Sequence, residues 1–238
     1  MSVLATTPVL YPHPYSVRLT IRYFYEYHRL FLQVYLSHLV LSNDCLDGEL
    51  SIGQVYVLSP HPVSMVTVVT LSDENRDDLI DCCKGVADMI DWLDSLNARP
   101  GLSELGTRLE TLPLNLEALK EHIGYTEDDG YQRNIIKRTE HYEMVAITWR
   151  AGQTTPIHDH AGSDCAFLIV EGTSTETIYE TDENGLAVPS VVRDYAPGEV
   201  CAADEPDIHR ISNDTEGDLI NLHVYTPPLS GFGIYEAA

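Results

Sequence analysis

Three histidines carry the clearest chemistry in this 238-residue chain. Two form the tight pair His158-Asp159-His160, and the third is His209. On an extended strand residues i and i+2 share a face, so both imidazoles of the pair point one way and Asp159 the other. A third imidazole from a later strand completes a metal-ligand set. The set suits zinc with a bound hydroxide. It equally suits iron(II) with open positions, a variant of the two-histidine-one-carboxylate arrangement of non-haem oxygenases. With no carboxylate ligand, an iron site stays more positive and favours an anionic thiolate. His13, His28, His38, His61, His122 and His141 have no partners at such spacing and are read as packing or surface groups.

The elements that must position these groups are short strands. Glu143, Val145, Ile147 and Trp149 alternate with Tyr142, Met144, Ala146 and Thr148, a period of two. Further runs fall at 154–160, 166–170, 176–180, 191–195, 201–203, 208–212 and 220–225, several separated by turns such as Asp182-Glu183-Asn184-Gly185 and Pro197-Gly198. Many short, punctuated strands predict a sandwich or barrel. Ahead of them Ser72 is a good N-cap, followed by Asp73 and Glu74, and Leu79, Cys83, Val86, Ile90 and Leu93 recur at helical spacing. Pro100-Gly101 closes that helix, and two shorter ones are expected over 102–109 and 115–123. The fold class is an all-β core with a helical lead-in. Cys82, Cys83, Trp149, Tyr142 and Tyr179 are expected to pack, and the helical acids to face solvent.

Composition narrows the function. The formal charge of −23 repels phosphate backbones and anionic lipid, so nucleic-acid and membrane partners are excluded. Only −1 of it lies in residues 1–70, which hold four acids and three bases. Ile21, Tyr23, Tyr25 and Tyr27 alternate there like a strand, while the apolar run from Leu30 fits a helix or a strand. That run is too short to span a membrane, and the N-terminus lacks a signal-peptide succession. Residues 1–70 are read as an N-terminal extension of unassigned role, with a second reading that starts the native chain at Met65. The five cysteines, Cys45, Cys82, Cys83, Cys165 and Cys201, form an odd set without C-x-x-C, which points to a reducing cytoplasm.

The spacing Gly152-x5-His158-x-His160-x4-Cys165-x6-Gly172, then His209-x3-Asn213, resembles the two motifs of the cupin superfamily, a small β-barrel with an internal metal. Cys165 stands where that pattern has a glutamate ligand, and Asp204-Glu205-Pro206 precede His209 in place of Pro-x-Gly. More closely, Tyr131-Gln132-Arg133-Asn134, Trp149-x-x-Gly152, the run from Pro156 to Cys165, His209-Arg210 and Asn221-Leu222-His223-Val224-Tyr225-x-Pro227-Pro228 resemble cysteine dioxygenase type I. The similarity is strongest over 131–228 and extends back towards Ser72, making 71–238 a helical lead-in plus a cupin thiol dioxygenase domain.

The resemblance implies iron(II), with His158, His160 and His209 as ligands, and transfer of both atoms of O2 to the sulfur of free L-cysteine. Arg133 matches the arginine that binds the substrate carboxylate, and Tyr131 the tyrosine that supports it. Tyr225 matches the active-site tyrosine, His223 the histidine bonded to its hydroxyl, and Cys165 the cysteine that forms a thioether with it in some members. Asn221 stands where the family often has serine. Members that prefer 3-mercaptopropionate tend to carry glutamine and glycine at the positions of Arg133 and Cys165, so both residues favour cysteine. A dioxygenase of another small thiol and a non-catalytic cupin binding or sensing module are the alternatives. L-cysteine and O2 are the expected partners, and the protein is expected to be a cytoplasmic monomer.

Overall fold

The computed structural model describes residues 20–26, 29–35, 52–55, 66–203 and 208–238. Its contacts divide the chain into Met1–Gly48 and Glu49–Ala238. In the first unit β1 (Thr20–Glu26) and β2 (Arg29–Tyr35) pair antiparallel, with Thr20 opposite Tyr35 and Glu26 opposite Arg29. The run from Leu30, open between helix and strand in the sequence, is therefore strand as far as Tyr35. Cys45, Met65, His13, His28, His38, His61 and the turn Asp204-Glu205-Pro206 lie outside the described residues.

The second unit opens with β3 (Ile52–Val55) and β4 (Val66–Thr70), and β4 runs parallel to β5 (Tyr131–Arg138). The structural boundary thus lies well ahead of the charge boundary near residue 71, because β4 is hydrogen-bonded into the main sheet. Four helices follow β4: α1 (Asp73–Cys82), α2 (Lys84–Ser95), α3 (Leu102–Glu110) and α4 (Leu116–His122). Ser72 and Asn115 cap α1 and α4 by accepting from the amides of Asn75 and Ala118.

The single helix expected from Ser72 to Pro100 is two. Cys83 leaves helical geometry (φ −121°, ψ 86°) with its side chain fully buried. Gly85 then packs so closely on the loop before α4 that an added Cβ would lie 2.9 Å from the Pro113 carbonyl oxygen. Cys82, expected to pack, ends α1 exposed, 3.5 Å from His122 Nε2. Asp73, Glu74, Asp77, Asp78, Asp81, Asp88 and Asp91 all face solvent, as the solvated-face reading requires.

The remaining strands are β6 (Glu143–Trp149), β7 (Asp164–Glu171), β8 (Ser174–Thr181), β9 (Ala187–Tyr195), β10 (Val200–Ala203), β11 (His209–Ser212) and β12 (Leu219–Thr226). They form a seven-stranded sheet in the order β10-β7-β12-β6-β5-β4-β3 and a three-stranded sheet β11-β8-β9. The all-β core with a helical lead-in is borne out; the cupin barrel takes the form of two facing sheets rather than one closed sheet. The strand expected over 154–160 is irregular, held by isolated bridges of Thr154 to Ser212 and of His158 to His209.

Every residue of β6 and β12 is buried, because two cores share them. On the helical side Met144, Ala146, Leu222 and Val224 pack with Leu79, Val86, Leu105 and Leu119. Between the sheets lie Val145, Ile147, Trp149, Cys165, Phe167 and Tyr225. Burial on both faces is why these strands read as nearly continuous apolar runs. Tyr142, Trp149 and Tyr179 are buried as expected. Among the described residues no helix is long and apolar enough to cross a membrane.

Candidate metal centre and active site

The bridge between His158 and His209 brings the first two imidazoles together. Each backbone amide bonds the other's carbonyl at 2.9 Å, so the two residues stand directly opposite. His160 follows two residues on, before a tight turn in which Ala161 (φ 51°) and Gly162 (φ 81°) both adopt left-handed backbone. Arg99 ties that turn to the loop between α2 and α3, donating to Gly162 O and to Asp164 Oδ2, each at 2.8 Å. The ring centroids of His158, His160 and His209 are 4.8–5.4 Å apart.

All three imidazoles are buried, and one ligand atom from each lies within 4.8 Å of the others. Among the described residues they are the one group of three or more His, Cys, Asp or Glu placed to hold a metal ion. Their chemistry fits one. His158 Nδ1 bonds Pro156 O at 2.9 Å and His209 Nδ1 bonds Glu176 Oε1 at 2.8 Å, so in both rings Nε2 is left as the ligand atom. Burial, then His209 and His160, hold His158 well below the ordinary 6.5, which keeps it neutral as a ligand must be.

Glu176 was not singled out by sequence reasoning. It is buried on β8 and also meets the Tyr195 hydroxyl (3.2 Å) and the Cys201 thiol (3.6 Å). Burial raises its carboxyl pKa, but the hydrogen bond to His209, the field of that imidazole and the bonds from Tyr195 and Cys201 together hold the carboxyl below its ordinary value. The signal available was an acid on the inward register of a strand.

Asp159 points away from the imidazoles, as the alternation predicts. Its Oδ1 accepts from the Gly233 amide (2.9 Å) and its Oδ2 from the Tyr235 hydroxyl (2.6 Å). An added Cβ on Gly233 would lie 2.6 Å from Asp159 Oδ2, so a side chain there would push the carboxylate off its partners. This clasp lays the C-terminal segment beside the pair, with the Phe232 ring edge-on to His158 at 5.8 Å.

Strand β12 supplies the second group. Asn221, His223 and Tyr225 share its inner face. Tyr225 stands opposite Cys165 of β7 on one side and opposite Glu143 of β6 on the other. Its hydroxyl is 3.2 Å from His223 Nδ1, and Cys165 Sγ is 3.7 Å from the same nitrogen. Phe167 stacks on His223 at 4.5 Å. Asn221 donates to Ser174 Oγ at 2.9 Å. Burial and Cys165 push the Tyr225 phenol well up, so it keeps its proton.

Arg133 reaches the same tyrosine from β5, its guanidinium 5.3 Å from the ring centroid, and the His160 ring lies 5.7 Å from that ring. Tyr131, two residues earlier, stacks on Trp149 at 5.9 Å. The partner that holds Arg133 is Glu143, whose Oε1 accepts from Nη2. Burial alone would lower the arginine; the fields of Tyr225 and Glu143 keep it raised and cationic. Glu143 too was passed over, although it aligns with Val145, Ile147 and Trp149 in the sequence pattern. A cavity of about 370 Å³ between the end of α2 and Thr226-Pro227 contains none of these site side chains.

The family model described as cysteine dioxygenase type I matches residues 120–238, half of the chain, and takes in the whole of this constellation. The chain belongs to that family. Over 104 residues it is 26% identical to the cysteine dioxygenase type 1 of Danio rerio, covering 41% of this chain and 52% of that protein. Against the enzyme of Homo sapiens identity is 27% over 107 residues with the same coverage. The chain thus spans about half the length of the curated cysteine dioxygenases it matches. Among solved structures, a Thermus thermophilus protein aligns with TM-score 0.40 and 21% identity, over 46% of this chain and 94% of that one. A cupin superfamily protein of Desulfitobacterium hafniense aligns with TM-score 0.37 and 15% identity, over 46% and 87%.

This cysteine dioxygenase-type site has an acid limit that follows from burial. His223 is held well below the ordinary 6.5 by burial and then by Arg133. The unfolded chain binds this proton below about 6.5 while the fold does not, so stability is present above that value and falls as pH drops below it, by about 1.4 kcal/mol per unit for each such histidine. The melting temperature of the metal-free protein should therefore decline from pH 6.5 to 5, and less steeply in His223→Gln. An equal slope in the variant would mean that His223 is charged in the fold.

Proposed function

We propose that the protein catalyses iron-dependent addition of both atoms of O2 to the thiol of free L-cysteine, giving cysteine sulfinate. The observation that carries this reading is one buried tyrosine, Tyr225, whose ring lies 5.7 Å from an imidazole of the three-histidine group and 5.3 Å from the Arg133 guanidinium. In this reading His158, His160 and His209 would hold iron(II), which when bound would bring the thiolate and O2 together for reaction.

The chain's own residues do the rest. Arg133 takes the substrate carboxylate on its fork, fixing orientation as well as position. Tyr131, two residues before Arg133 on the same strand, stacks on Trp149. Tyr225, kept protonated and tied to His223, donates a hydrogen bond towards the charge that develops beside the sulfur. Cys165 lies directly across the strand pair from Tyr225, a spacing that suits a thioether between them and would stop the phenol from rotating. The formal charge of −23 supports a role away from nucleic acid and membrane surfaces.

Oxygen uptake by the iron-loaded protein with cysteine, cysteamine and 3-mercaptopropionate tests the proposal. Cysteine should consume one O2 per sulfinate formed, with cysteamine, which has no carboxylate for Arg133, at least about tenfold slower, a ratio within reach of one charge-assisted hydrogen bond. Faster uptake with 3-mercaptopropionate would move the substrate assignment, and no uptake with any thiol would leave only a binding module. In the same preparation, intact mass after denaturation should be lower by about two hydrogens in the crosslinked fraction; an unchanged mass would remove the thioether.

A further inference from the structure

The fork that this reaction reserves for a substrate carboxylate already holds a carboxylate of the protein. Glu143 begins β6 with its side chain only 1% exposed. Its Oε1 accepts from Arg133 Nη2, and its Oε2 lies 2.9 Å from Arg138 Nη1. The register puts it there: Glu143 pairs with Arg138 across β5 and with Tyr225 across β12. Arg133 is 14% exposed and faces the site, whereas Arg138 is 48% exposed and lies at the solvent end. One buried anion therefore has two cations to choose from, one inside the site and one outside it. A buried carboxylate is tolerated only while paired, and Arg138 keeps it paired if Arg133 is taken away.

We propose that Glu143 is an internal counter-anion of Arg133 that an incoming substrate carboxylate displaces, with Arg138 retaining Glu143 during the exchange. This rests on reading Arg133 as the carboxylate partner. Two carboxylates on one guanidinium repel each other, so binding by the carboxylate alone is weakened. A ligand that would also anchor its thiolate on a cation held by the three imidazoles can meet that cost, while acetate and amino acids without a thiol cannot. Selectivity then comes from an opposing charge as well as from an attracting one.

The test compares Glu143→Gln with Arg138→Met. Glu143→Gln should tighten acetate binding to the metal-free protein, followed by NMR titration, and lower the KM for cysteine in the iron-loaded protein by about tenfold (~1.4 kcal/mol). The KM for cysteamine, which has no carboxylate, should not move. Arg138→Met confines Glu143 to Arg133, so it should weaken acetate binding and raise the KM for cysteine. Damage to the fold would raise KM in both variants, and the opposite signs separate the two cases. A raised or unchanged KM for cysteine in Glu143→Gln, an equal change with cysteamine, or a lowered KM in Arg138→Met would overturn the proposal. If the wild-type protein consumes no O2 with any thiol, the dioxygenase reading fails, and the acetate titration still decides the role of Glu143.

Discussion

Replacing His209 with alanine should reduce bound iron from one per chain to near zero and lower oxygen uptake by at least about a thousandfold, roughly 4 kcal/mol of transition-state stabilisation. Three buried imidazoles leave no fourth side chain in the group to substitute for a lost ligand. Glu176 makes the prediction graded. It fixes the His209 ring through Nδ1, beside the Tyr195 hydroxyl and the Cys201 thiol. Glu176→Gln should therefore keep the stoichiometry but weaken metal affinity by about 10- to 100-fold, the usual effect of losing a partner behind a ligand. Metal content and a cobalt titration read both effects. Full iron occupancy in His209→Ala would remove the residue from the ligand set, and unchanged affinity in Glu176→Gln would make the carboxylate a packing group.

Arg133→Ala should raise the KM for cysteine by about 100-fold, because a bidentate contact to a charged group contributes about 1.5–3 kcal/mol per hydrogen bond. The KM for cysteamine should change little, and kcat should fall less than KM rises, since in the proposed reaction the guanidinium would bind a part of the substrate that does not react. Glu143 keeps Arg138 as its partner in the variant, so the fold should survive. Arg133→Lys should recover only part of the loss, a point charge being no substitute for a planar fork. An unchanged KM for cysteine in Arg133→Ala would remove the carboxylate role.

The parts of the site visible in the sequence were those written in short spacing. His158-Asp159-His160 announces itself because two residues determine the shared face, and the clasp on Asp159 agrees with its outward direction. The period-two pattern through Trp149 located β6, and β12 was found within one residue at each end. The helix over 72–100 failed at Cys83 because the break comes from Gly85 packing on Pro113, a contact absent from the local pattern. The run 154–160 was overread as a strand because its alternation is real but only two of its residues bridge. Glu143 and Glu176 were missed for a shared reason. Each is an acid in an inward strand position, and its partner, Arg133 or His209, lies on another strand.

The clasp on Asp159 has a bearing on how the protein is made. Its partners Gly233 and Tyr235 are 74 and 76 residues further along the chain. His209 likewise follows the pair by a long interval. During synthesis the His158-Asp159-His160 segment therefore leaves the ribosome well before the residues that hold it in place. Local helices form in about a microsecond, but this closure waits for translation, at roughly 5–20 residues per second. The three-imidazole group cannot be completed before His209 is made, so until then the nascent chain offers only two of its imidazoles. Capture of a cation by all three imidazoles thus waits on β11.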